Sequence, residues 1–148
     1  MNWVHLHLAL NHIPVLGPLF ICILLVAGLI KRSNELKRTS LWGFLVLTII
    51  SIPIKFTGDF AYEKTAEETW MSASIAEAHE QAADQATTGI FLLGGFAGFA
   101  LFLGRGKKSV PGWAYGITLM LALTTFVLMA RTANLGGQIR HPEIRAVE

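Results

Sequence analysis

The sequence predicts an all-α integral membrane protein: an up-down four-helix bundle with both termini on the outer, periplasmic side. Three observations carry this. There are four long apolar runs, charge is scarce, and the charges that remain are segregated along the chain. Hydrophobic residues make up 53% of 148 and charged residues 15%, with a mean hydropathy of +0.51. A water-soluble domain carries about 25% charge, so this chain cannot clothe an ordinary water-facing surface. Disordered chains are poor in apolar residues, which sets that class aside. A single cysteine, Cys22, excludes an intramolecular disulfide, a Cys-rich zinc or iron–sulfur site and a Cys-x-x-Cys-His haem attachment. The formal net charge of +2 gives no reason to expect nucleic acid as a partner.

The chain reads as one domain, residues 1–148, with spans near 3–30, 41–57, 86–104 and 112–135. A bilayer core takes about 20 apolar residues per helix, and lipid leaves an open sheet edge unsatisfied, so these runs read as helices. The first run lacks a basic leader and a small-x-small cleavage site, and is expected to be a span rather than a removable signal. The first connection holds Lys31, Arg32, Lys37 and Arg38 against Glu35; the third holds Arg105, Lys107 and Lys108. Between them, the expected outer loop 58–85 carries Asp59, Glu63, Glu67, Glu68, Glu77, Glu80 and Asp84 against Lys64. Basic connections stay inside, which puts both termini and the acidic segment outside, in a multi-pass protein of the bacterial inner membrane. Arg131, Arg140 and Arg145 run against that bias.

On this topology all five histidines fall at the outer end: His5, His7 and His12 open the first span, His79 precedes the third, and His141 follows the fourth. Lys31 follows His12 by 19 residues, which sets His12 about 28 Å from the inner boundary at 1.5 Å per residue. Ionisable groups at such depth are costly and point to function. His5 and His12 share a helix face, while His7 turns the other way with Asn11 and Pro14. Pro14 and Pro18 withdraw amides from the ladder and predict a kink beside His12. Ala76, His79, Ala83 and Ala86 share one face, leaving room beside the imidazole for a flat macrocycle; Glu77, Glu80 and Asp84 take another. Lys55 and Arg131 are candidate partners for anionic groups such as haem propionates. Gly136-Gly137 is expected to end the fourth helix and let the next turn bring His141 to the cluster.

Plainer readings stand beside these. An interfacial histidine commonly presents a polar tip to the headgroups, as do Lys and Arg stems. His5 and His7 with Trp3 fit that role. The alanines and Gly94-Gly-Phe-Ala-Gly98 suit close helix contact. The acidic segment reads as a solvated face, or as a dock for a basic soluble partner.

Four stretches together resemble a family of small bacterial four-helix inner-membrane proteins. They are His12-Ile13-Pro14-Val15, Thr57-Gly58-Asp59, His79, and Asn134-Leu135-Gly136-Gly137 followed by His141. The resemblance spans nearly the whole chain and implies haem binding and electron transfer. Here Gly-Gly leads into Gln138-Ile-Arg-His141, where the family pattern continues with an apolar-aromatic stretch.

The leading expectation is a b-type cytochrome-like electron carrier or subunit rather than a stand-alone enzyme. Haem b is gripped by His12 and His79 from diagonally opposite helices. His141 with His5 or His7 are candidates for a second haem. Glu80, Asn11 or Asn134 would orient a ligand imidazole. Partners on this reading are the lipid bilayer, a c-type cytochrome, quinone, other respiratory subunits or a second copy of the chain. Two alternatives stay open: a non-haem metal site using Glu77, Glu80 or Glu143, and a structural subunit of a larger membrane complex. Transport is disfavoured, because all polar groups sit at one end.

Overall fold

The computed structural model describes residues 2–106 and 109–145, so the expected inner bases Lys107 and Lys108 lie outside the described residues. Among the described residues the chain is all helix and connection. The helices are α1 Trp3–Leu10, α2 His12–Ile30, α3 Asn34–Thr65, α4 Ala73–Leu103 and α5 Gly112–Arg140, followed by a 3-10 turn Pro142–Ile144. Four segments are long and apolar enough to cross a membrane, α1 and α2 together making the first. Pro14 lacks the amide that would bond the Leu10 carbonyl, and the first segment breaks at Asn11, one turn earlier.

The helices close a ring of neighbours: α2 against α3, α3 against α4, α4 against α5, and α5 back against α2. The first and third segments therefore face each other across the diagonal, and α1 continues the first segment along the upper part of α3. Close approaches set the spacing. The ideal Cβ position on Gly94 lies 2.1 Å from Thr48 Oγ1, so α3 and α4 meet backbone to side chain there. Thr48 Oγ1 lies 3.0 Å from both the Phe44 and Ile90 carbonyls, its hydroxyl shared between its own helix and the next.

At the end carrying the α2–α3 and α4–α5 connections, Ser33 Oγ accepts the Leu36 amide and Arg32 adopts a left-handed φ of 53°. Arg38 donates to the Gly104 carbonyl at 2.8 Å, capping α4 from α3. The main core lies in this half: Leu25, Leu41, Phe44, Leu93 and Tyr115 fill it with large side chains. Toward the other end a smaller cluster of Ile90, Met129 and Ala86 continues it, with Ile54 also buried.

Two differences from the sequence reading bear on the site. The acidic segment expected as an outer loop is mostly helical, because α3 runs to Thr65 and α4 begins at Ala73, leaving a connection of residues 66–72. Hydropathy marks the apolar part of a helix, and the alanine-rich helix around His79 extends well past that part. Nor does α5 end at Gly136-Gly137. Both glycines are helical, neither has positive φ, and the helix continues to Arg140. Neither supplies left-handed freedom, and at Gly136 the missing side chain is what admits a close neighbour.

Candidate functional site

All five histidines stand at the end of the bundle where α1 starts, α3 finishes, α4 starts and α5 finishes. Beyond Ile54, Ile90 and Met129, the buried residues at this end are Pro14, Thr57, Ala61, Ala76, Ala82, Ala86 and Thr132. None has a long side chain, and into this small-residue mouth two imidazoles project.

His7 comes from α1. Its Nδ1 lies 3.1 Å from Thr57 Oγ1, while Thr57 Oγ1 lies 2.6 Å from the Ile54 carbonyl. A hydroxyl has one proton. Thr57 must spend it on the carbonyl, which cannot donate, so the Thr57 oxygen accepts from His7 Nδ1–H. His79 comes from α4, with Nδ1 2.9 Å from the backbone carbonyl of Thr132 on α5. A carbonyl only accepts, so His79 Nδ1 also carries its proton. When neutral, each ring then has its Nε2 lone pair free, and neither Nε2 has a hydrogen-bond partner among the described residues.

Each ring also lies against a glycine. A Cβ on Gly58 would stand 3.1 Å from His7 Cε1, and one on Gly136 would stand 3.0 Å from His79 Cε1. Thr57-Gly58 and Gly136 are thus the seats of two histidines. Both rings are half-buried and within electrostatic reach of each other; Asp59 is within reach of His7. Trp3 stacks on Phe60 at 4.8 Å between centroids and fixes the start of α1 against α3.

The other expected residues lie elsewhere. His5 and His12 are exposed, on the face of the first segment turned away from the bundle, so His7 rather than His12 shares the mouth with His79. His141 caps α5, is exposed, and contacts Glu143 at 3.0 Å. The Glu143 carboxyl is held below the usual carboxylate range by its own backbone amide and by His141. Asn134 accepts from Gln138 on its own helix at 2.6 Å, and Glu80 is exposed. Asn11 forms the break between α1 and α2 and makes no side-chain cap. The orienting groups for the imidazoles are Thr57 and the Thr132 carbonyl, neither of which spacing alone had singled out.

Lys55 pairs with Asp84 at 2.6 Å across α3 and α4, and Arg131 donates to Gln85 at 3.3 Å across α4 and α5. Each keeps further donors on the rim. Above them Arg145 donates to the Gln138, Ile139 and Trp70 carbonyls, and Arg140 lies 4.8 Å from the Trp70 ring centroid. These contacts tie the end of α5 to the α3–α4 connection.

Set against known families, curated proteins and solved structures, the chain finds no match.

Proposed function

We propose that the chain is a membrane electron-transfer protein of the b-type cytochrome kind, holding one haem at the histidine end through His7 and His79. The observation that carries this reading is the matched pair of imidazoles from opposite sides of the bundle, each with Nδ1–H committed and Nε2 free. A histidine that ligates through one nitrogen ordinarily donates its other N–H to a carbonyl or similar acceptor, which fixes tautomer and ring plane. The donor set fits haem in number as well, since His7 and His79 would each offer one Nε2 to the iron. When bound, the group would supply one-electron chemistry at iron. The chain's part is to hold the rings, leave space beside them by lining the mouth with alanine and threonine, and offer Lys55 and Arg131 at the rim for carboxylates.

The same reading places the bundle in the bacterial inner membrane with the histidine end outward. Ile30, Phe20, Val127 and Met120 are 77%, 63%, 64% and 65% exposed on the sides of the helices, a surface suited to lipid. Lys31, Arg32, Lys37, Arg38 and Arg105 lie at the opposite end, as cytoplasmic bases do. From there the chain would pass electrons to or from a c-type cytochrome, quinone or another respiratory subunit. The pairing differs from the expected His12–His79, because α1 and α2 turn His12 outward.

The test is a reduced-minus-oxidised absorption spectrum of the purified protein, with His7→Ala and His79→Ala beside it. A Soret and α-band in the wild type, lost in both variants while each still inserts, is the expected result. A colourless wild-type protein grown with ample haem would overturn the reading and leave the non-haem metal and structural-subunit alternatives.

A further inference from the structure

The two histidines are not held alike. His79 sits within an uninterrupted helix of 31 residues, flanked by buried Ala76 and Ala82, with its acceptor part of the α5 backbone. His7 sits on an eight-residue helix with no buried residue. That helix packs chiefly against α3 and hardly at all against α2. Its ties are the Trp3–Phe60 ring contact, the His7–Thr57 hydrogen bond and the seat on Gly58. At its far end Asn11 stays helical in backbone angles (φ −62°, ψ −21°), but Pro14 has no amide to bond the Leu10 carbonyl, so the hydrogen-bond ladder joining α1 to α2 is interrupted there. Segments with few buried contacts open first, at a small fraction of the cost of global unfolding.

We propose that α1 is a hinged arm pivoting at Asn11, which carries His7 off Thr57 while His79 stays in place, so that His7 is the exchangeable member of the pair. Withdrawal of His7 would vacate the space of one imidazole ring beside Thr57 and Gly58, room for a small neutral diatomic ligand. The hinge stands on the helix contacts alone; the ligand class rests on the haem reading above.

Two experiments separate these levels. The first is hydrogen–deuterium exchange on the full chain in lipid nanodiscs, with no haem added. Amides of residues 5–10 are expected to exchange at least ten-fold faster than those of residues 80–90 in α4. Thr57→Val, which removes the acceptor for Nδ1–H, should speed residues 5–10 several-fold and leave α4 unchanged; Thr57→Ser should restore the wild-type rate. Equal protection of α1 and α4, or no response to Thr57→Val, overturns the hinge. The second uses the haem-loaded, reduced protein and carbon monoxide as probe. Binding should be at least ten-fold faster in His7→Ala than in wild type, with Thr57→Val between them. If carbon monoxide binds equally fast in all three, the exchangeable-ligand assignment falls even though the haem reading survives. Absence of haem from the wild type would sink the reading without touching the exchange result.

Discussion

A threonine proton decides what His7 can do. Because Thr57 gives its hydrogen to the Ile54 carbonyl, His7 must present Nδ1–H to Thr57 and keep Nε2 unprotonated when neutral. His79 reaches the same state by another route, through the Thr132 carbonyl. The glycines beneath the rings are equally specific. Gly136→Ala sets a methyl 3.0 Å from His79 Cε1, so either the ring leaves the Thr132 carbonyl or α4 and α5 move apart. Overpacking of this kind costs about 1–3 kcal/mol. The expected outcome is a haem-to-protein ratio reduced several-fold with the helix content unchanged by circular dichroism; full retention would show that Gly136 is not a seat. His12→Ala is the complementary case. Its ring is exposed, and the absorption bands of the variant should match wild type in position and amplitude. Spacing put His7 and His12 on different faces, but the choice between those faces depends on how the first segment is rotated against α3, which one helix's periodicity does not contain.

At the scale of helices, the four helices long and apolar enough to cross a membrane were legible because each contains an apolar run close to the ~20 residues a span needs. The diagonal relation of first and third segments followed from short connections, as found. The acidic stretch showed helical spacing around His79, but the apolar runs gave no sign that α3 and α4 extend to Thr65 and Ala73. Within it, Thr65 bonds back to the Ala61 carbonyl and Gln81 to Glu77, contacts at α-helical spacing. Gly94-Gly95 tests the close packing that was read from the sequence. A methyl on Gly94 would fall 2.1 Å from Thr48 Oγ1 and break a hydroxyl that links α3 to α4, whereas Gly95 faces open space. Gly94→Ala should therefore lower the thermal midpoint by several degrees, the equivalent of about 1–3 kcal/mol. Gly95→Ala should be neutral or raise it slightly, since alanine favours helix over glycine by about 1 kcal/mol. Equal midpoints for the two variants would mean that α3 and α4 do not meet at Gly94.

For the whole molecule, the division of labour runs along the long axis. Large apolar side chains and the capping residues Arg38 and Ser33 occupy one end, while small buried residues, the two imidazoles and the acidic rim occupy the other. On the proposed electron-transfer reading, the histidine end must face the partner, so that reading also commits to an orientation in the membrane. The basic connections predict that the histidine end faces outward. Native Cys22 is buried in the core, and a Cys22→Ser background would permit single reporters at the exposed Glu67 or at Ser33. In intact cells, a membrane-impermeant maleimide should label Glu67→Cys at once and Ser33→Cys only after the membrane is breached. The opposite pattern would turn the histidines toward the cytoplasm. The electron partner would then be a cytoplasmic protein or the inner-leaflet quinone pool, and a periplasmic c-type cytochrome could not serve.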